Sequence, residues 1–131
     1  MTAIQWVDFL TNHGVDIRIT NSGGLIGKSG GGYLWVSDEI LYAFKLNKET
    51  VFHELAHWTG NKLRLHRDDD EAANDLEESI AWETTRLMVK RFGGGSWHYY
   101  HHAPKHSMRN SFEAKWFGRQ AFEFICHEFN L

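Results

Sequence analysis

Residues 51–60 read VFHELAHWTG, and no other stretch restricts the fold as tightly. His53 and His57 are four apart, so on a helix they share one face about 5–6 Å apart at Cβ. Val51, Phe52, Leu55, Ala56 and Trp58 make that helix apolar nearly all round, which means it is buried. Two imidazoles and the Glu54 carboxylate inside a core are costly unless they are paired or liganded. The sequence therefore predicts a central helix that brings its own polar partners to another element. Asn47 suits the N-cap, with the helix running from Lys48 to about Thr59 and Gly60 as its stop.

A metal ion is the partner this pattern serves best. Imidazole nitrogens of His53 and His57 can close two corners of a zinc tetrahedron. Glu54 sits one step round the helix, badly placed to share the coordination but placed to reach a zinc-bound water. Zinc lowers the pKa of such a water to about 7, and Glu54 would take its proton as general base.

Several residues compete for the third protein ligand. The glycine three residues after His57 fits a longer motif whose third histidine would fall at position 63, but Leu63 stands there. His66 lies nine residues beyond His57 in the charged run RLHRDDDEAAND, without a helical scaffold. The stretch LEESIAWETTRL sits on a separate long helix, and its Glu77, Glu78 and Glu83 are all candidates. Glu78 shares a stripe with Ala81 and Thr85, while Glu77 shares a face with Ala73, Ile80, Thr84 and Leu87. Spacing does not choose among them.

The rest of the chain reads as a small α+β domain spanning residues 1–131. A helix over 3–12 carries Ile4, Trp6, Val7, Phe9 and Leu10 on one face and stops near Gly14. VDIRIT alternates like a strand, NSGGLIGKSGGG reads as a turn, and YLWVS and ILYAFKL read as further strands of an antiparallel sheet. The acidic run at Asp68, Asp69 and Asp70 favours the start of a helix over 71–91 that ends at Gly93–Gly95. An aromatic and histidine-rich loop, SWHYYHHAPKHS, leads to a helix over 112–129 capped by Ser111. Trp116, Phe117, Ala121, Phe124 and Ile125 are expected to face inward there. Gly27-Lys28-Ser29 imitates the end of a phosphate-binding loop, but glycines and a strand follow it instead of a helix N-terminus.

Composition narrows the function classes. A net charge of −3, with nine histidines neutral, gives no support for binding through nucleic-acid phosphates. Asp8 interrupts what would be a secretory signal, and no run approaches the roughly 18 apolar residues of a membrane span. The expectation is a cytoplasmic protein, its single Cys126 a core thiol among Phe124, Ile125 and Phe129.

HELAHWTGNKLRLHRD resembles the zincin-like metallopeptidase domain of ArdC-type antirestriction proteins and related polyvalent proteins of phages and plasmids. In that family HELAHxTG precedes an RLxR element, matched here by Arg64-Leu65-His66-Arg67. A glutamate, two variable residues and an alanine follow on a later helix, matched by Glu78-Ser79-Ile80-Ala81. Trp82 stands where the family commonly has a second glutamate, with Glu83 adjacent. The resemblance, specific over residues 51–83, implies a zincin-like fold in which a small antiparallel sheet packs on the metal helix, a second ligand-bearing helix and a C-terminal helix. It implies zinc held by His53, His57 and Glu78, with Glu54 as the catalytic base acting on a peptide or protein substrate. It also implies phage or mobile-element origin and action against a host protein. The family's separate single-stranded-DNA lobe is not expected here, because the roughly 50 residues before the metal helix read as part of the peptidase fold itself.

Such a site would lay its substrate along an edge strand from residues 33–44 and take an oxyanion donor from His98, Tyr99, Tyr100, His101, His102 or His106. Two rival readings stand beside it. One is a non-catalytic zinc-containing adaptor or inhibitor that binds a host protein. The other is nucleic-acid binding through Arg18, Lys28, Lys45 and Lys48 with stacking near Tyr99.

Overall fold

A computed structural model of the chain describes residues 1–19, 25–29, 32–35, 47–63, 71–94 and 111–131. The elements there are α1 (Ala3–Asn12), β1 (Ile17–Ile19), β2 (Leu25–Ser29), β3 (Gly32–Trp35), α2 (Lys48–Lys62), α3 (Glu71–Phe92) and α4 (Phe112–Glu128). The described residues are thus mostly helical, with one short sheet.

Local chemistry sets most of the helix ends. Thr2 and Gln5 exchange side-chain and backbone hydrogen bonds at 3.2 and 2.8 Å, a capping box that starts α1. The Asn47 side chain accepts from the Thr50 amide at 2.9 Å at the head of α2, and Ser111 accepts from the Ala114 amide at 3.2 Å at the head of α4. α3 stops where Gly93 and Gly94 take positive φ, 84° and 114°. Lys48 then donates to the Phe92 carbonyl at 3.4 Å, so a cation from the start of α2 sits at the C-terminal end of α3.

Two boundaries differ from expectation. α2 does not stop at Gly60 but continues to Lys62, with Gly60 buried inside it. Tertiary packing of a helix that is buried along its whole length outweighs the roughly 1 kcal/mol that an interior glycine costs. The glycine-rich segment expected as a turn instead contains β2, the central strand of an antiparallel sheet ordered β1-β2-β3. Backbone pairing on both sides satisfies its amides and carbonyls, which propensity alone does not register. Gly27, Lys28 and Ser29 therefore lie in a strand, as the rejection of a phosphate loop requires. The strand expected over 40–46 lies outside the described residues.

α2 is the hub: α1, β2, α3 and α4 all pack against it. Its Val51, Phe52, Leu55 and Trp58 join Trp6, Val7, Leu10, Val15, Ile17, Met88, Ile125 and Phe129 in one core. Trp6 meets Phe52 and Phe92 edge-on, with ring centroids 5.1 and 5.2 Å apart. Buried threonines do not leave orphans, because the hydroxyls of Thr59, Thr84 and Thr85 donate to the carbonyls four residues back at 2.8, 2.8 and 2.7 Å.

α4 presents Ala114, Gly118, Ala121 and Ile125 inward, a stripe of mostly small residues. Trp116, expected inside, is 54% exposed, and its ring is stacked on exposed Phe112 at 6.1 Å. Phe117 and Phe124 are only partly buried, as is Cys126, which is not the fully enclosed thiol expected. Ile4 likewise points outward at 57% exposure. For α4 the reason is close approach. A Cβ on Gly118 would stand 2.6 and 2.7 Å from Cγ and Cβ of Glu83 on α3, and the Gly118 carbonyl accepts from Thr84 at 3.3 Å.

Gly118→Ala would ordinarily stabilise a helix by about 1 kcal/mol. Here the overpacking it forces costs about 1–3 kcal/mol, so a net loss of stability is expected. Urea or thermal unfolding beside the wild type measures it.

Candidate metal centre

The polar side of α2 meets α3 across a buried interface. His53 and His57, one turn apart, direct Nε2 atoms toward each other at 3.1 Å. Glu78 on α3 closes the triangle, with Oε1 2.9 Å from His57 Nε2 and Oε2 3.2 Å from His53 Nε2. These three residues form a group able to hold a metal ion. The donor set fits: a tetrahedral site with bonds of about 2.0–2.1 Å has donor-to-donor edges of about 3.3–3.4 Å. The observed separations fall just inside that value, and nitrogen and carboxylate oxygen are both suitable ligands.

Glu54 is 6% exposed on the same helix. Burial pushes its carboxyl above the usual carboxylate range, opposed by His53 and His57 and reinforced by Glu78. For His57, burial alone would favour the neutral ring. Hydrogen bonding to Glu77 and Glu78 and the charges of Glu78 and Glu54 outweigh it and push the imidazole up to about 10. Burial of Glu78 would raise its carboxyl, but hydrogen bonds and charge from His53 and His57 hold it far below the ordinary range. The opposite shifts of His57 and Glu78 express one interaction, the attraction between imidazole and carboxylate at 2.9 Å.

Of the glutamates that spacing left open, the structure brings Glu78 to both histidines. Glu77 Oε1 instead lies 3.5 Å from His57 Nδ1, on the far side of the ring. Glu83 turns away to bind the Arg86 guanidinium at 2.7 and 3.0 Å. His66 and the loop holding His98, Tyr99, Tyr100, His101, His102 and His106 lie outside the described residues, as do Arg64, Arg67, Lys45 and Asp68–Asp70. Arg18 is paired with Asp16 at 3.0 Å. No described helix is long and apolar enough to cross a membrane.

One neighbour was not anticipated in its role. Trp82, which stands where the family commonly has a second glutamate, is buried and lays its ring on the His53 imidazole, with centroids 4.2 Å apart and planes 35° from parallel. The signal was available, since Trp82 is one helical turn beyond Glu78 and so shares its face. Comparison with family models, with curated proteins and with solved structures finds no match.

These charge states give the metal-free protein a definite pH response. The His57 pKa is higher in the folded state, so its contribution is complete below about 6.5 and is lost as pH rises toward about 10. The raised Glu54 carboxyl adds a loss of the same sign. The melting temperature of chelator-treated protein is therefore expected to fall by several degrees from pH 6.5 to 10. Saturating zinc, which needs deprotonated ligands, should remove that slope.

Proposed function

We propose that this protein is a zinc-dependent peptidase of zincin-like fold, the class implied by the resemblance of HELAHWTGNKLRLHRD to ArdC-type peptidase domains. The observation that carries the reading is the meeting of His53 and His57 from α2 with Glu78 from α3, beside a buried Glu54. A two-histidine, one-carboxylate set leaves a coordination position for water or substrate. Zinc, when bound there, supplies Lewis acidity for a peptide carbonyl and lowers the pKa of water.

The chain's own groups do the remaining work. Glu54 is adjacent to His53 in sequence, and the charges of both histidines act on its carboxyl, which supports the role of base at the proposed centre. Its raised pKa suits a base that must both accept a proton from the attacking water and return it to the departing amine. Of the peptide-binding strand expected over 33–44, only 33–35 are described, and they belong to β3, an outer strand among the described residues. An extended peptide can add to such an edge through main-chain hydrogen bonds. The origin in a phage or mobile element, and a host protein as substrate, rest on the resemblance alone.

The test separates metal holding from chemistry. Glu54→Gln should retain one zinc per chain but lose at least about 100-fold in cleavage of a casein or peptide-library substrate. His57→Ala and Glu78→Ala should lose both zinc and activity. Full activity in Glu54→Gln would refute the peptidase reading, and zinc without cleavage in the wild type would favour the adaptor.

A further inference from the structure

His57 is held between two carboxylates from one helix. Consecutive residues on a helix diverge by about 100°, so Glu77 and Glu78 straddle whatever lies between them. The imidazole of His57 occupies that position. Its Nε2 faces Glu78 Oε1 at 2.9 Å and the His53 nitrogen at 3.1 Å, while its Nδ1 faces Glu77 Oε1 at 3.5 Å. His57 is buried and Glu77 is partly buried, so the contact is not one of two freely solvated groups.

His53 is treated differently. Its ring rests on Trp82, with centroids 4.2 Å apart, where His57 has the Glu77 carboxylate. The centre therefore has one carboxylate-backed imidazole and one aromatic-backed imidazole.

We propose that Glu77 is a positioning residue for His57, resting on the zinc reading above: it accepts a hydrogen bond from Nδ1–H and so commits Nε2, unprotonated, to the ion. A ring nitrogen can ligate only through a lone pair, and which nitrogen offers it is decided by the hydrogen bond the other makes. With Glu78 already in contact with Nε2, a proton on that nitrogen would be satisfied by the wrong carboxylate. Glu77 counters this by placing a carboxylate oxygen on the Nδ1 side of the ring, 3.5 Å away. A carboxylate behind a ligating imidazole also raises its basicity and fixes the plane of the ring, and loss of such a group typically costs about 10–100-fold in metal affinity.

The experiment uses the full chain and zinc itself. Zinc stoichiometry and affinity, by competition with a chromophoric chelator, are measured for wild type, Glu77→Ala, Glu77→Gln and Glu78→Ala, with circular dichroism to establish folding. Histidine ring ¹⁵N shifts are recorded on the zinc-loaded proteins. Glu77→Ala should still bind one zinc per chain but about 10–100-fold more weakly. Glu77→Gln, whose amide oxygen can accept the same proton, should recover part of that loss and shift the His57 Nδ1 signal. The isosteric variant keeps the test open should the alanine variant unfold.

Affinities of both variants within twofold of wild type would overturn the positioning role while leaving the zinc reading intact. Coordination of His57 through Nδ1 would overturn it as well. Complete loss of zinc in folded Glu77→Gln would make Glu77 a ligand and not a positioning group. A wild-type chain that binds no zinc would overturn the zinc reading, and this inference with it.

Discussion

A buried helix that carries ionisable groups can exist only where another element answers them, and this requirement organises the molecule around α2. Desolvating an imidazole or a carboxylate alone costs several kcal/mol, well beyond what a single hydrophobic contact returns. α2 meets the demand by dividing its circumference. Phe52, Leu55 and Trp58 join the cluster built on Trp6 and Phe129, while His53 and His57 meet Glu78 and Glu77 on α3. The rotation of α3 about its own axis is thereby tied to the polar centre. A turn of one residue would replace Glu78 by Glu77 or Ser79 at the pair of imidazoles.

Precision at such a centre needs a stiff support. α3 is gripped from its other side by α4, whose small stripe at Ala114, Gly118 and Ala121 lets the two backbones come close. Thr84 donates to both its own helix and the Gly118 carbonyl, at 2.8 and 3.3 Å, which links the helices through one hydroxyl. At the far end, Lys48 reaches the Phe92 carbonyl, so the start of α2 is fastened to the end of α3. The two helices that share the candidate ligands are held both at the site and away from it, the arrangement a small set of donors needs to keep its spacing.

How much of this was legible depends on range. His53, Glu54 and His57 could be placed together because four-residue spacing on a helix is a local rule, and Asn47 and Ser111 could be read as caps for the same reason. The choice among Glu77, Glu78 and Glu83 could not be made from spacing, because it depends on the relative rotation of two helices about 20 residues apart in sequence. The resemblance to a family motif pointed to Glu78. The inward face of α4 was misread at Trp116 because hydrophobicity was weighed and size was not: helices that approach closely bury Ala and Gly and send the large rings outward. β2 was hidden for the opposite reason. Its stability comes from strands on both sides, and a segment between Ser22 and Gly32 with so many glycines carries little intrinsic strand signal of its own.

The charge balance of the centre links the structural and functional readings. Three carboxylates, Glu54, Glu77 and Glu78, stand around two imidazoles. That excess of negative charge holds protons more tightly: Glu77, Glu78 and Glu54 raise the pKa of His57, and burial and the Glu78 charge raise that of Glu54. A divalent cation relieves it more completely, since two positive charges replace one on His57. On the proposed function, such a charge would add to those of His53 and His57, which already oppose the burial-driven rise of Glu54, and would favour its ionised, proton-accepting form. On the proposed function, the base is therefore made competent by the same event that completes the site, so that neither half of the machinery is set without the other.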